Sequence, residues 1–83
     1  MSVIKILAPS VTLATADTVD SAKLVRVLNN KTSVQVLTHT TGAGEVIGNM
    51  TLAAGEVVLI AKDSTDKLLG VATTLATKIA FKN

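Results

Sequence analysis

Three of the five glycines fall in Thr40-Thr41-Gly42-Ala43-Gly44-Glu45-Val46-Ile47-Gly48, a stretch close in form to a phosphate-cradling loop. A dinucleotide fingerprint needs G-x-G-x-x-G between a strand and a helix, so that the helix N-terminus meets the pyrophosphate. Here the last interval is one residue too long, and Met50-Thr51-Leu52 downstream reads as strand. No Gly-Lys-Ser/Thr closes the segment, so a P-loop fails as well. The work expected of these glycines is mechanical. Gly42 and Gly44 supply positive φ in a hairpin loop, and Gly48 marks a bulge.

His39 is the single histidine, and a metal site would need a second one nearby. As a base it would need a carboxylate or nucleophile delivered by the fold. It reads as a rim histidine at a strand end, with a pH-sensitive interface contact as its functional alternative. Asp17 and Asp20, like Asp63 and Asp66, are spaced by three. Neither pair follows the alternating oxygen ligands and closing Glu of a calcium loop. Asp63 and Asp66 are expected to cap a helical turn, Asp17 and Asp20 to serve a turn. Glu45 and Glu56 sit beside turns, where carboxylates stay solvated. With no cysteine there is no disulfide, thiolate nucleophile or zinc knuckle. No catalytic, cofactor-binding or metal-ligating residue is assigned, and the chain reads as a non-enzyme without a cofactor.

The 83 residues suffice for one domain, 1–83, with a thin core. Yet 48% of them are hydrophobic, only 17% are charged, and mean hydropathy is +0.53. That is more apolar surface than so small a core can hide, so part of it is expected to face a protein partner. Net charge is +2, but the basic residues are dispersed from Lys5 to Lys82 and Phe81 is the sole aromatic. Such a surface offers nucleic acid neither an electrostatic track nor a stacking platform. The apolar N-terminus is short and interrupted by Pro9, which fits neither a signal peptide nor a membrane span.

These residues are carried on a period-two pattern. Lys23–Leu28 and Ser33–Thr40 alternate as half-buried strands do, and Asn29-Asn30-Lys31-Thr32 between them suggests a β-hairpin over 23–40. A second hairpin joins 33–40 through 41–45 to Val46–Leu52. Ala53-Ala54-Gly55 then turns the chain into Glu56–Lys62, apolar enough for the middle of a sheet or for packing on both faces. Val3–Leu7 and Val11–Thr15 read as short strands, and residues 1–10 as an edge strand or arm. Asp17–Ala22 is a polar connection with room for one helical turn. Leu68, Ala72, Leu75 and Ile79 fall at helical spacing, but Gly70 and branched Val71, Thr73, Thr74 and Thr77 oppose a long helix. The expectation is one helical turn near 64–69 and a strand over 77–82 with Ile79 and Phe81 inward. Together these give an all-β fold, a small sandwich or barrel of about six to seven short antiparallel strands.

Val25-Arg26-Val27, Thr51-Leu52-Ala53-Ala54-Gly55-Glu56, Ile60-Ala61-Lys62 and Thr65-Asp66-Lys67-Leu68 together resemble small virion-associated proteins of tailed bacteriophages, particularly marine and cyanobacterial ones. The resemblance is carried by Lys23–Gly70 and consists of turn-and-strand patterns. It implies a capsid decoration or cement protein on the virion surface, assembled in the host cytoplasm and often oligomeric. The partner it implies is the major capsid protein or another virion protein, with no nucleic acid or membrane involved. A tail or fibre accessory contacting the host surface is the alternative, disfavoured by the lack of aromatic platforms for sugars. The expected interface comprises Val3, Ile4, Ile6 and Leu7, placed to add a strand to a neighbour, with Leu24 and Leu28.

Overall fold

Period-two patterning dominates the computed structural model, which describes residues 3–82. Among these the chain forms eight strands and no helix: β1 (Val3–Ile6), β2 (Val11–Thr12), β3 (Leu24–Asn29), β4 (Gln35–Thr40), β5 (Val46–Leu52), β6 (Val57–Ala61), β7 (Lys67–Leu69) and β8 (Thr74–Lys82). Alternation is cleanest in β3. Val25, Val27 and Asn29 are buried, while Leu24, Arg26 and Leu28 on the other side are half-buried. The strands make two antiparallel sheets. In the larger, β1 and β2 lie end to end along one edge of β8, followed by β3 and then β6; the smaller runs β5-β4-β7. Leu13, Val19, Ala22, Val25, Val27, Leu37, Leu52, Leu68 and Ala76 fill the space between them, with Val11, Val58 and Ile60 packed alongside. The thinnest dimension, 20 Å, suits two layers about 10 Å apart with side chains on both backs. The expected all-β class holds, as a sandwich.

The edge strand expected over residues 1–10 is present from Val3 and docked on β8, not free as an arm; residues 1 and 2 lie outside the described residues. Leu7 N–H donates to Lys78 O at 2.9 Å and Leu13 N–H to Thr74 O at 2.9 Å, so the pairing resumes on both sides of Ala8-Pro9-Ser10. Proline has no N–H to give and falls in the gap.

The hairpin expected over 23–40 does not form. β3 pairs with β6 and β8, whereas β4 pairs with β5 and β7, so the chain crosses between sheets after Asn29. Asn29 is a pin rather than a turn residue. Its buried Nδ2 donates to the carbonyls of Ser33 (3.1 Å), Leu52 (3.2 Å) and Ala53 (3.0 Å), tying the β3–β4 corner to the β5–β6 corner. The hairpin of β4 and β5 forms as expected. Of the two places open to Glu56–Lys62, mid-sheet is not taken, since β6 lies at an edge; its two faces are both apolar, with Val58 and Ile60 toward the core and Val57 and Leu59 exposed. Below β6 the chain passes to the smaller sheet as β7 and back to the larger as β8.

No helical turn forms at 64–69. Asp66 N–H donates to Asp63 O at 3.0 Å, and Lys67–Leu69 then pairs with β4, which buries Leu68. The apparent helical spacing is shared between two strands. Gly70 could not carry a side chain there, since a Cβ would lie 2.6 Å from Thr74 Oγ1. Ile79 and Phe81, expected inward, lie instead on the side of β8 away from the core, where Ile79 is buried and Phe81 is 45% exposed. The connection at Asp17–Ala22 does turn once, in the left-handed sense: Val19, Asp20 and Ser21 have φ of 54°, 57° and 55°. L-residues resist this conformation by about 1–2 kcal/mol each. Burial of Val19 and a 2.6 Å bond from Val19 N–H to Asp17 Oδ1 oppose that cost.

Candidate functional site

Residues opposite one another on antiparallel strands point to the same face. On the back of the larger sheet, Ile6 therefore joins Ile79, and Ile4 joins Phe81. Leu28 lies between Leu75 and Val57, and Leu24 lies beside Ala61. Arg26 stands between Leu59 and Thr77. Arg26, Thr77 and Thr12 are the polar members of a face otherwise built of Ile, Leu, Val, Ala and Phe. Ile6 is 76% exposed and Leu59 46%. Four strands about 4.8 Å apart, each giving five residues at about 3.4 Å, span on the order of 300 Å2. The largest apolar patch on an ordinary monomer is about this size, and such patches are often functional.

Of the residues expected at an interface, the structure brings Ile4, Ile6, Leu24 and Leu28 onto this one face. Val3 is exposed on the other side of β1, and Leu7 is exposed just past its end. Val57, Leu59, Leu75 and Phe81 were missed. Placing them needs the register of β6 and β8 against β3, though the unbroken apolar run Val57–Ala61 already implied a strand with two apolar faces.

A groove of about 220 Å3 opens on the inner side of the smaller sheet, lined by Leu37, His39, Gly48, Met50, Ile60 and Leu68 among others. His39 and Asn49 are its polar lining, and His39 Nε2 lies 3.0 Å from Asp66 Oδ2. Register puts His39 opposite Leu68 and Gly48, which brings in the carboxylate two residues before Leu68. Lys62 is 8% exposed, and its Nζ donates to the carbonyls of Asp66 (2.9 Å) and Asp63 (3.2 Å). Burial pulls the Lys62 pKa below the usual lysine value, against the opposing charges of Asp66, Asp17 and Asp63. The cluster thus fastens the β6–β7 turn to β4. It can hold a proton beside a carboxylate, but none of the residues lining the groove carries a hydroxyl or thiol for a base to activate. No group of three His, Cys, Asp or Glu able to hold a metal occurs among the described residues.

The glycine loop is mechanical in a modified sense. Gly44 has φ 93° in the β4–β5 loop, but Gly42 does not have positive φ. Gly42 serves close approach, since a Cβ there would meet Thr65 O at 2.9 Å. The β4–β5 register shifts between His39 and Thr40, so Ile47 beside Gly48 is the extra residue of a bulge. No helix among the described residues is long and apolar enough to cross a membrane. No protein-family model, curated protein or solved structure matches this chain.

Proposed function

We propose that this chain is a non-catalytic structural protein of a tailed-phage virion, a decoration or cement protein that binds the assembled shell. The observation that carries the reading is the apolar back of the larger sheet, on which Ile4, Ile6, Val57, Leu59 and Phe81 are exposed. The Val25-Arg26-Val27 and Thr51–Glu56 likeness to phage virion proteins points the same way. At about 25 cal/mol per Å2, covering some 300 Å2 on this side yields on the order of 8 kcal/mol gross, most of it offset by the cost of association. One copy would hold weakly and many copies, or an oligomer, would hold well. The outer edge of β1 offers a second contact, by addition of a neighbour's strand.

Electron microscopy of whole virions tests the proposal. Density for the chain at repeated sites on the shell, with the larger sheet facing inward, is expected. Density confined to the tail would move the protein to the accessory role, and its absence from purified particles would end the reading. Removal of residues 2–8 should abolish attachment and leave the domain folded, because Val3–Leu7 are all exposed. Unchanged attachment would exclude β1 from the interface.

A further inference from the structure

We infer that the surface covering the back of the larger sheet belongs to a different protein and carries a carboxylate over Arg26. The inference rests on reading that face as a docking surface and names the chemistry of what docks. Arg26 sits amid the apolar back, with Leu24 and Leu28 to either side on its strand, Leu59 across one ladder and Thr77 across the other. No ion pair reaches its guanidinium among the described residues.

Any cover that excludes water from Leu59 and Leu28 also strips water from this cation. A desolvated charge without a partner costs several kcal/mol, enough to cancel much of the apolar gain. A purely apolar cover is therefore a poor match. A second copy is no better, because its identical face brings another Arg26 and neither Asp nor Glu. At the corner, a hollow of about 410 Å3 runs from Leu24, Ile79 and Phe81 of this face to Lys23 and Lys78 of the other side, where Lys78 already has Asp20 at 3.8 Å. The face itself carries one cation at its centre and is apolar elsewhere apart from Thr12 and Thr77, so its complement is an apolar protein surface bearing a carboxylate. A guanidinium–carboxylate fork would also fix the register that apolar contacts leave loose.

The test titrates the intact protein with decanoate and with decyltrimethylammonium, each below micelle formation, while its NMR signals are followed. Decanoate should shift Leu24, Leu59, Thr77 and Phe81 saturably and bind about tenfold tighter than the ammonium. Arg26→Gln should bring the two within about twofold. If that variant unfolds, Arg26→Lys should retain part of the preference. Equal binding, or a preference that survives Arg26→Gln, overturns the carboxylate assignment. Sedimentation should show no dimer that Leu59→Glu dissolves; such a dimer would make the face a self-interface and overturn the inference. Binding to phosphatidylglycerol vesicles that is lost in Leu59→Glu would assign the face to lipid and overturn it too. The titration needs no virion. Its failure leaves the shell reading open, and absence of the chain from virions leaves the titration result standing.

Discussion

The two backs of the sandwich are built from different residues. On the smaller sheet, register places Val36, Thr38 and Thr40 of β4 with Val46, Asn49 and Thr51 of β5 and Lys67 and Leu69 of β7. Thr38 and Thr51 suit the pleat while their hydroxyls keep the surface wet, whereas Thr40 is buried and Val36 and Val46 are exposed. On the larger sheet, Ile4, Ile6, Leu24, Leu28, Leu59 and Phe81 occupy the corresponding places. The smaller sheet also exposes apolar side chains, Val36, Val46 and Ile47 among them, so the 48% hydrophobic content is shared by both sides. What differs is the company: polar residues alternate with apolar ones on the smaller sheet, whereas the larger back sets Arg26, Thr12 and Thr77 among apolar neighbours.

The contrast exists only while the sandwich does, and Asn29 is where it comes apart most readily. Asn29→Ala leaves the carbonyls of Leu52 and Ala53 without their buried donor and should cost about 3 kcal/mol in urea unfolding, with both sheets lost together. Next in size is erasing the difference. Ile6→Thr with Leu59→Thr should lower binding of an apolar dye several-fold while stability stays within about 1 kcal/mol. Undiminished dye binding would place the exposed apolar surface elsewhere. The reverse exchange, Thr38→Val with Thr51→Val, should raise dye binding and change stability by no more than about 0.5 kcal/mol.

The smallest effect concerns Lys62, below the smaller sheet. Its pKa is depressed in the folded protein, so the unfolded chain binds more protons between the folded and unfolded values. Its burial therefore weakens the fold fully below the folded pKa, and that cost is relieved as pH rises toward 10.5. The chain has no Tyr or Cys to titrate there. Stability should climb slightly with pH on approaching 10.5 in the wild type and stay flat in Lys62→Met.

Alternation made most strands legible because it is local. Val25 and Val27, or Val58 and Ile60, declare a shared face within one short run of chain. Pairing was not legible, because it is decided elsewhere. Asn29 looks like a turn residue in sequence, yet it bonds backbone 23 and 24 residues away, in a corner that β5 and β6 create. The β7 region misled through spacing alone: Leu68 and Ile79 share a helical period but end in different sheets. At the candidate sites, Ile4 and Ile6 are legible as part of a terminal strand able to pair with a neighbour, and Leu24 and Leu28 as the apolar members of one face of β3. That they share one surface, with Arg26 in its midst, depends on two ladders absent from the sequence. His39 and Asp66 lie 27 residues apart and meet only through the pairing of β4 with β7.

The passage of the chain from layer to layer bears on when the molecule can work. Thr74–Lys82 comes last among the described strands, yet it is the rib to which β1, β2 and β3 all attach. While a chain is being synthesised, its earlier strands wait for that rib, and pairings over such distances close slowly. The apolar back draws on strands from both ends of this order, so an unfinished chain has no such surface to offer. Attachment through it would select completed molecules without a separate inspection step.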